Sequence, residues 1–110
     1  MKLNHFHLCV KDYTTAIEWL ENIWQLKPVY QDEKMAAFEF GDVTLILDAM
    51  EMDSFATLGF ETDDCDRDFK ILIERGAEPV DEPEYRPWGV RSAYIKGPGK
   101  LQFELEQKLT

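Results

Sequence analysis

The chain contains an internal repeat, and this repeat most constrains what it can fold into. Residues 5–12 alternate apolar and polar side chains and end in an aspartate, and residues 57–64 repeat this pattern 52 positions later. Alternation with a period of two is typical of a strand with one buried face. A helical pattern and then a Pro-Val pair follow each segment, with Pro28-Val29 in the first half and Pro79-Val80 in the second. The sequence therefore predicts two copies of one structural unit.

Each unit is predicted to run strand, helix and three strands. In the first half, Asp12 is placed to cap a helix whose apolar residues recur at three- and four-residue spacing until Pro28 ends it. Short apolar segments follow, and polar residues between them suit hairpin turns. In the second half, the acids of Asp63–Asp66 can cap a helix that ends at Arg75-Gly76. We therefore predict an α+β fold of one domain over residues 1–110, with βαβββ modules at 1–50 and 56–110.

The second module is predicted to contain a polar loop before its last two strands. Residues 81–87 include two prolines and several charges, so we expect a loop there, with Tyr85 and Trp88 on it. Strands are then predicted near Val90–Ile95 and Leu101–Gln107, joined by a glycine-rich turn.

Polar residues share one face of the strands that open and close each module. The apolar residues of these strands have the opposite parity and are expected to lie under the two helices. If the predicted mixed sheet curves around a cleft, the polar face lines it; if the sheet is flat, the same residues form an ordinary solvated face. The polar parity holds these residues: His5, His7, Thr44, Ile46, Asp48, Thr57, Gly59, Glu61, Gln102, Glu104 and Glu106.

The composition narrows the choice of partners. The net charge is −10, from 22 acidic and 12 basic residues, which disfavours nucleic acid and anionic membranes and favours a cationic or neutral ligand. We find no apolar run long enough for a membrane span and no pattern of a secretion signal, so we expect a soluble, cytoplasmic protein. Cys9 and Cys65 are expected to be free thiols.

Several motifs together resemble the vicinal-oxygen-chelate superfamily, which includes glyoxalase I, bleomycin-resistance proteins, fosfomycin-modifying enzymes and extradiol dioxygenases. The motifs are His-x-His-Leu-x-Val-x-Asp at 5–12, Phe-Glu-Thr-Asp-Asp at 60–64, Trp-Gly at 88–89, Gly-Pro-Gly at 97–99 and Phe-Glu-Leu-Glu at 103–106. The resemblance covers nearly the whole chain. It implies two βαβββ modules around a shared cleft, often in a homodimer.

The resemblance also implies four metal-ligand positions, two in each module. In this chain they are His5 and Ile46 in the first module and Thr57 and Glu104 in the second. Ile46 has no donor atom, and a threonine hydroxyl is a weak ligand for Zn²⁺, Ni²⁺, Fe²⁺ or Mn²⁺. His7 and Asp48 share the polar parity and could serve with His5 and Glu104 as a substitute set.

Three functions remain open from the sequence. The first is metal-independent binding of a small, cationic or aromatic molecule, with His5, His7, Thr57, Glu61, Trp88 and Glu104 as ligand-binding residues. The second is a divalent-metal lyase, isomerase or dioxygenase of the glyoxalase kind, with His5 and Glu104 as the remaining metal ligands and Glu104 as the candidate catalytic acid or base. The third is a non-catalytic interaction module whose polar face is simply hydrated.

Overall fold

The chain forms two compact units in the computed structural model, which describes residues 1–109. The first unit comprises Met1–Ser54 with Pro98–Lys100, and the second comprises Phe55–Gly97 with residues 101–109. We refer to them as the first and second modules. Each has one helix and four strands in the order βαβββ, so the predicted α+β fold of two repeated modules is confirmed. That their polar faces line one cleft stays a prediction.

The secondary structure follows the repeat element by element. The first module holds β1 (His5–Val10), α1 (Tyr13–Trp19), a π-helical segment (Leu20–Trp24), β2 (Tyr30–Gln31), β3 (Met35–Phe40) and β4 (Val43–Ala49). The second holds β5 (Phe55–Glu61), α2 (Cys65–Glu74), β6 (Glu78–Arg86), β7 (Val90–Lys96) and β8 (Lys100–Lys108).

The sheet of the first module has the strand order β1-β4-β3-β2. β1 pairs with β4 in parallel, whereas the other pairs are antiparallel, so this sheet is mixed. The register sets Leu8 opposite Leu47 and His7 opposite Ile46, as the alternation requires. Leu45, Leu47 and Phe38 are fully buried on the apolar face. Burial of one such side chain contributes about 2 kcal/mol, so a register slip of one residue would be strongly disfavoured.

Helix α1 starts where the sequence predicts, but not for the predicted reason. Asp12 precedes the helix, yet its side chain makes no capping hydrogen bond, so its predicted role as a capping residue is wrong. The last turns widen into the π-helical segment, and Gln25 ends it in the left-handed conformation with φ of 57°. The buried stripe of Ala16, Ile17 and Leu20 is nevertheless as predicted.

The sheet of the second module has the order β5-β8-β7-β6. The predicted loop at 81–87 is wrong for most of its length, because residues 78–86 form the continuous strand β6. The strand tolerates Pro79 and Pro83 because it lies at the edge of its sheet, where a missing N–H donor costs little. Register shifts between Pro79 and Asp81 and between Asp81 and Glu84 absorb the irregular stretch as bulges.

Helix α2 is capped as predicted. Asp64 lies at its N-cap and accepts a hydrogen bond from the backbone N–H of Arg67 at 3.0 Å. Cys65, Phe69 and Leu72 form the buried stripe. Among residues 1–109, no helix has both the length and the apolar character that a membrane span requires.

Candidate binding faces of the two modules

The polar face of the second module is organised around Glu104. Tyr94 on β7 stands directly opposite Glu104 on β8 in the antiparallel register, so their side chains project to the same face. The Tyr94 hydroxyl donates a hydrogen bond to Oε2 of Glu104 at 3.0 Å. Both side chains are half-buried. The carboxylate is thereby held by one of its two oxygens.

The second oxygen of Glu104 faces Gly59 on β5. A Cβ atom added to Gly59 would lie 3.7 Å from Oε1 of Glu104, so the missing side chain leaves open the space next to this oxygen. Within residues 1–109, Oε1 makes no hydrogen bond. Because a carboxylate oxygen has two lone pairs, Oε1 is available to a donor outside the chain.

Arg86 lies beside this pair and its charge is already engaged. Its Nε donates to Oγ of the buried Ser92 at 2.9 Å, and its Nη1 donates to Glu84 at 2.9 Å. Its Cζ lies 5.7 Å from the ring centroid of Tyr94. Burial raises the pKa of Tyr94, and the hydrogen bond to Glu104 and its negative charge add to this effect. Tyr94 therefore remains a neutral donor at physiological pH.

The other predicted residues of the second module have different surroundings. Thr57 is exposed on β5, on the parity of Gly59. Glu61, further along the same strand, is exposed and pairs with Lys108 at 3.1 Å, which raises the pKa of that lysine. Trp88 lies in the turn between β6 and β7 and is 64% exposed.

Tyr85 is not placed as the sequence predicts. It belongs to β6 rather than to a loop, and its register partner is Arg91. The Arg91 guanidinium lies 4.5 Å from the centroid of the Tyr85 ring and also binds Asp66 of α2 through two nitrogens. Because Tyr85 and Arg86 are consecutive in a strand, Tyr85 lies on the helix side of the sheet, away from Glu104.

The polar face of the first module brings three predicted side chains together. His5 and His7 are two residues apart on β1, and their ring centroids are 5.7 Å apart. The Nδ1–H of His7 donates to Oδ2 of Asp48 on β4 at 2.8 Å. His5 instead donates through Nδ1 to Oδ1 of the neighbouring Asn4 at 2.6 Å. All of these side chains have access to solvent.

The donors at the family's metal-ligand positions do not fit a divalent cation. In the first module Ile46 is half-buried between His7 and Ala37 in the register and contributes only carbon atoms. In the second module Thr57 offers a neutral hydroxyl, so of the two positions there only Glu104 carries a strong donor. Over residues 1–109 no group of three or more His, Cys, Asp or Glu side chains is arranged to hold a metal ion.

Two residues of the Glu104 cluster were missed by the sequence reasoning. Tyr94 lies on the inner strand β7 and Arg86 on the edge strand β6, whereas the predicted polar face comprises only the strands that open and close each module. The sequence does indicate that Tyr94 is close to Glu104, because the glycine-rich turn at 97–100 lies midway between them. Pairing β7 with β8 across that turn would have set them opposite each other.

The comparisons with known proteins agree with this architecture. The family model described as the Glyoxalase/Bleomycin resistance protein/Dioxygenase superfamily matches residues 2–105. Among solved structures, a glyoxalase/bleomycin resistance protein/dioxygenase from Nocardioides is 20% identical with a TM-score of 0.86, covering 99% of this chain and 84% of that one.

Two further structures show the same fold. A bleomycin resistance determinant encoded on the transposon Tn5 is 18% identical, covers 100% of both chains and has a TM-score of 0.80. A virulence protein of Salmonella typhimurium is 24% identical with a TM-score of 0.79, over 98% of this chain and 97% of that one. No curated protein matches the chain significantly. At these identities the structural likeness establishes the fold alone.

Proposed function

Because the chain belongs to the Glyoxalase/Bleomycin resistance protein/Dioxygenase superfamily, we propose that it binds a small cationic molecule, without a metal ion, on the polar face that holds Glu104. The superfamily includes proteins that bind and proteins that catalyse, so membership alone does not choose between them. The choice depends on the residues of this chain.

The observation that carries the proposal is the unequal state of the two Glu104 oxygens. Tyr94 holds Oε2 at 3.0 Å, and the missing side chain at Gly59 leaves Oε1 open. A carboxylate fixed in this way is a preorganised acceptor, because little rotamer freedom is lost when a ligand binds. Hydrogen bonds between charged partners are about twice as strong as neutral ones, so a cation benefits most.

The donor chemistry favours binding without metal. Only His5 and Glu104 of the four family positions carry a good ligand, whereas a catalytic metal usually has about three protein ligands and an open position. Glu104 therefore serves as an anchoring carboxylate in this proposal. If the chain is instead a metal-dependent lyase, isomerase or dioxygenase, Glu104 is the candidate acid or base.

The remaining candidate residues contribute contacts rather than charge. Trp88 is exposed in its turn and offers an aromatic surface to a planar ligand. Thr57 lies on the same strand face as Gly59 and offers a hydroxyl. In the first module, the exposed imidazoles of His5 and His7 offer hydrogen-bonding groups on that module's own polar face. A homodimer, as is frequent in this superfamily, and the absence of nucleic-acid or membrane partners are part of the proposal.

A titration with matched variants tests the proposal. Calorimetry and NMR chemical-shift mapping would use bleomycin and benzylamine as probes on the intact chain, with benzyl alcohol as the neutral control. We expect Glu104→Gln to weaken binding of the cationic probes by about tenfold or more, because the charge-assisted hydrogen bond is lost. Glu74→Gln on α2 changes the net charge equally, outside the polar face, and should leave affinity unchanged.

The outcomes separate the candidates. Equal losses in Glu104→Gln and Glu74→Gln would show a nonspecific effect of net charge and contradict the proposal. The proposal would also be contradicted if benzylamine and bleomycin bound no more tightly than benzyl alcohol. That result would favour the interaction module.

A further inference from the structure

We infer that the Tyr94–Glu104–Gly59 arrangement selects primary ammonium groups over guanidinium groups in the ligand. The inference rests on the proposed function and specifies the chemical class of cation that this site accepts. Three observations support it: the hydrogen bond from Tyr94 on β7 to Glu104 on β8, the contact of Arg86 on β6 with the Tyr94 ring, and the gap at Gly59 on β5.

Glu104 offers a ligand one free carboxylate oxygen and one that already accepts a hydrogen bond. A guanidinium binds a carboxylate best through two parallel N–H donors, one to each oxygen. Here Tyr94 already donates to Oε2 at 3.0 Å and takes one of its lone pairs. An ammonium is a compact charge that binds fully through a single oxygen, so it loses nothing from this arrangement.

A ligand reaches the free Oε1 of Glu104 past Gly59 on β5. The space next to this oxygen exists because Gly59 has no side chain, and a single methyl group there would touch it at 3.7 Å. A methyl group at Gly59 would therefore contact Oε1 and crowd a donor that approaches from the β5 side. A compact ammonium reaches a single oxygen there more easily than a planar, three-nitrogen fork.

The aromatic ring beside the Glu104 carboxylate is that of Tyr94, and Arg86 lies next to it. A guanidinium ligand gains affinity when it stacks on a ring, but the Arg86 guanidinium already lies 5.7 Å from the Tyr94 ring centroid. A second guanidinium on this face of the ring would meet a like charge. Arg86 is fixed there by Ser92 and Glu84, so it does not move aside without losing hydrogen bonds.

The test compares two probes with the same body. Dissociation constants of benzylamine and benzylguanidine would be measured for the intact chain and for Tyr94→Phe. We expect benzylamine to bind about tenfold more tightly to the wild-type chain. In Tyr94→Phe, Oε2 becomes free, so the preference should fall to about threefold or less, mainly through tighter binding of benzylguanidine.

A second variant tests the opening itself. Gly59 lies in a strand outside the left-handed region, and the 3.7 Å approach is ordinary van der Waals contact, so Gly59→Ala is expected to fold normally. The new methyl group should weaken benzylamine binding by about tenfold, while thermal stability stays equal or rises, because glycine in a strand carries an entropic cost.

The results distinguish this inference from the proposed function. Equal affinities of the two probes for the wild-type chain, or a preference unchanged in Tyr94→Phe, would overturn the selectivity and leave cation binding at Glu104 intact. If neither probe binds more tightly than benzyl alcohol, both the proposed function and the inference fail.

Discussion

Cys65 illustrates at the scale of one residue how burial controls chemistry. Its thiol is fully buried at the start of α2 and lies 3.7 Å from the carbonyl oxygen of Leu105, to which it can donate. Burial, together with the nearby charge of Asp66, raises the pKa of the thiol to about 11. Since the thiolate is the reactive form, Cys65 should be inert at neutral pH.

We therefore predict that Cys65 resists alkylation in the native protein. In a Cys9→Ser variant, which leaves Cys65 as the single thiol, iodoacetamide near neutral pH should label the native chain very slowly and the denatured chain fully, as measured by mass spectrometry. Rapid labelling of the native variant would show that the thiol is accessible, contrary to the structure.

The same shift predicts a pH dependence of stability. Because the pKa of Cys65 is raised in the folded state, its contribution is complete below about pH 8.5, the unfolded value, and is lost as the pH rises towards 11. The free energy of unfolding should fall over this range, and less so in Cys65→Ala. An identical decline in both proteins would assign the effect to other groups.

At the residue scale, the sequence predicted the site in part. Parity placed His5, His7 and Glu104 on polar faces, because alternation is a local property of a strand. It could not show that Tyr94 holds Glu104 or that Asp48 holds His7, since those contacts join different strands and depend on register. It also placed Tyr85 in a loop, because the prolines and charges around it are typical of one, whereas Tyr85 belongs to the edge strand β6.

At the scale of elements, the two helices of the repeat offer a matched pair. Each follows an aspartate at the equivalent position, Asp12 or Asp64. Only Asp64 accepts a capping hydrogen bond, from the N–H of Arg67. The two aspartates are therefore equivalent in sequence but not in their contribution to stability.

We predict that Asp64→Ala lowers the free energy of unfolding by about 1 kcal/mol, whereas Asp12→Ala changes it by less than about 0.5 kcal/mol. Chemical denaturation of the two variants measures the difference. Asp64→Asn, which retains a capping oxygen, should recover most of the loss. Equal costs for the two alanine variants would contradict the observed difference in capping.

The elements also show where local patterns mislead. Prolines and charges between Asp81 and Pro87 are typical of a loop, and the sequence predicts one there. An edge strand needs hydrogen bonds on only one side, so it accommodates residues that an inner strand excludes. Whether a segment lies at an edge depends on the strand order β5-β8-β7-β6, which the local sequence does not encode.

At the scale of the whole molecule, the charge of −10 should influence binding. A negative field attracts cations over distances of about 10 Å, and salt screens this attraction. We predict that benzylamine affinity falls several-fold between low and high ionic strength, while benzyl alcohol affinity stays constant. A benzylamine affinity that is independent of salt would mean that its charge does not contribute.

The whole chain also departs from what its superfamily suggests about metals. The resemblance to this superfamily implies four ligand positions, of which Ile46 and Thr57 occupy two, so the good donors among them are those of His5 and Glu104. A superfamily fold constrains where ligands can stand, whereas individual residues decide whether they bind. We therefore predict that dialysis against EDTA leaves benzylamine affinity within about twofold of its original value.

The matched measurement is metal analysis of the protein before dialysis, for Zn, Ni, Fe and Mn. Here we expect well below one ion per chain, because a site with two good ligands competes poorly for divalent cations. A stoichiometric metal that disappears in both His5→Ala and Glu104→Ala would instead establish the metal-dependent alternative. Such a result would place the ion on Oε1 of Glu104 while Tyr94 holds Oε2 from outside the coordination shell, so Tyr94→Phe should then weaken metal binding.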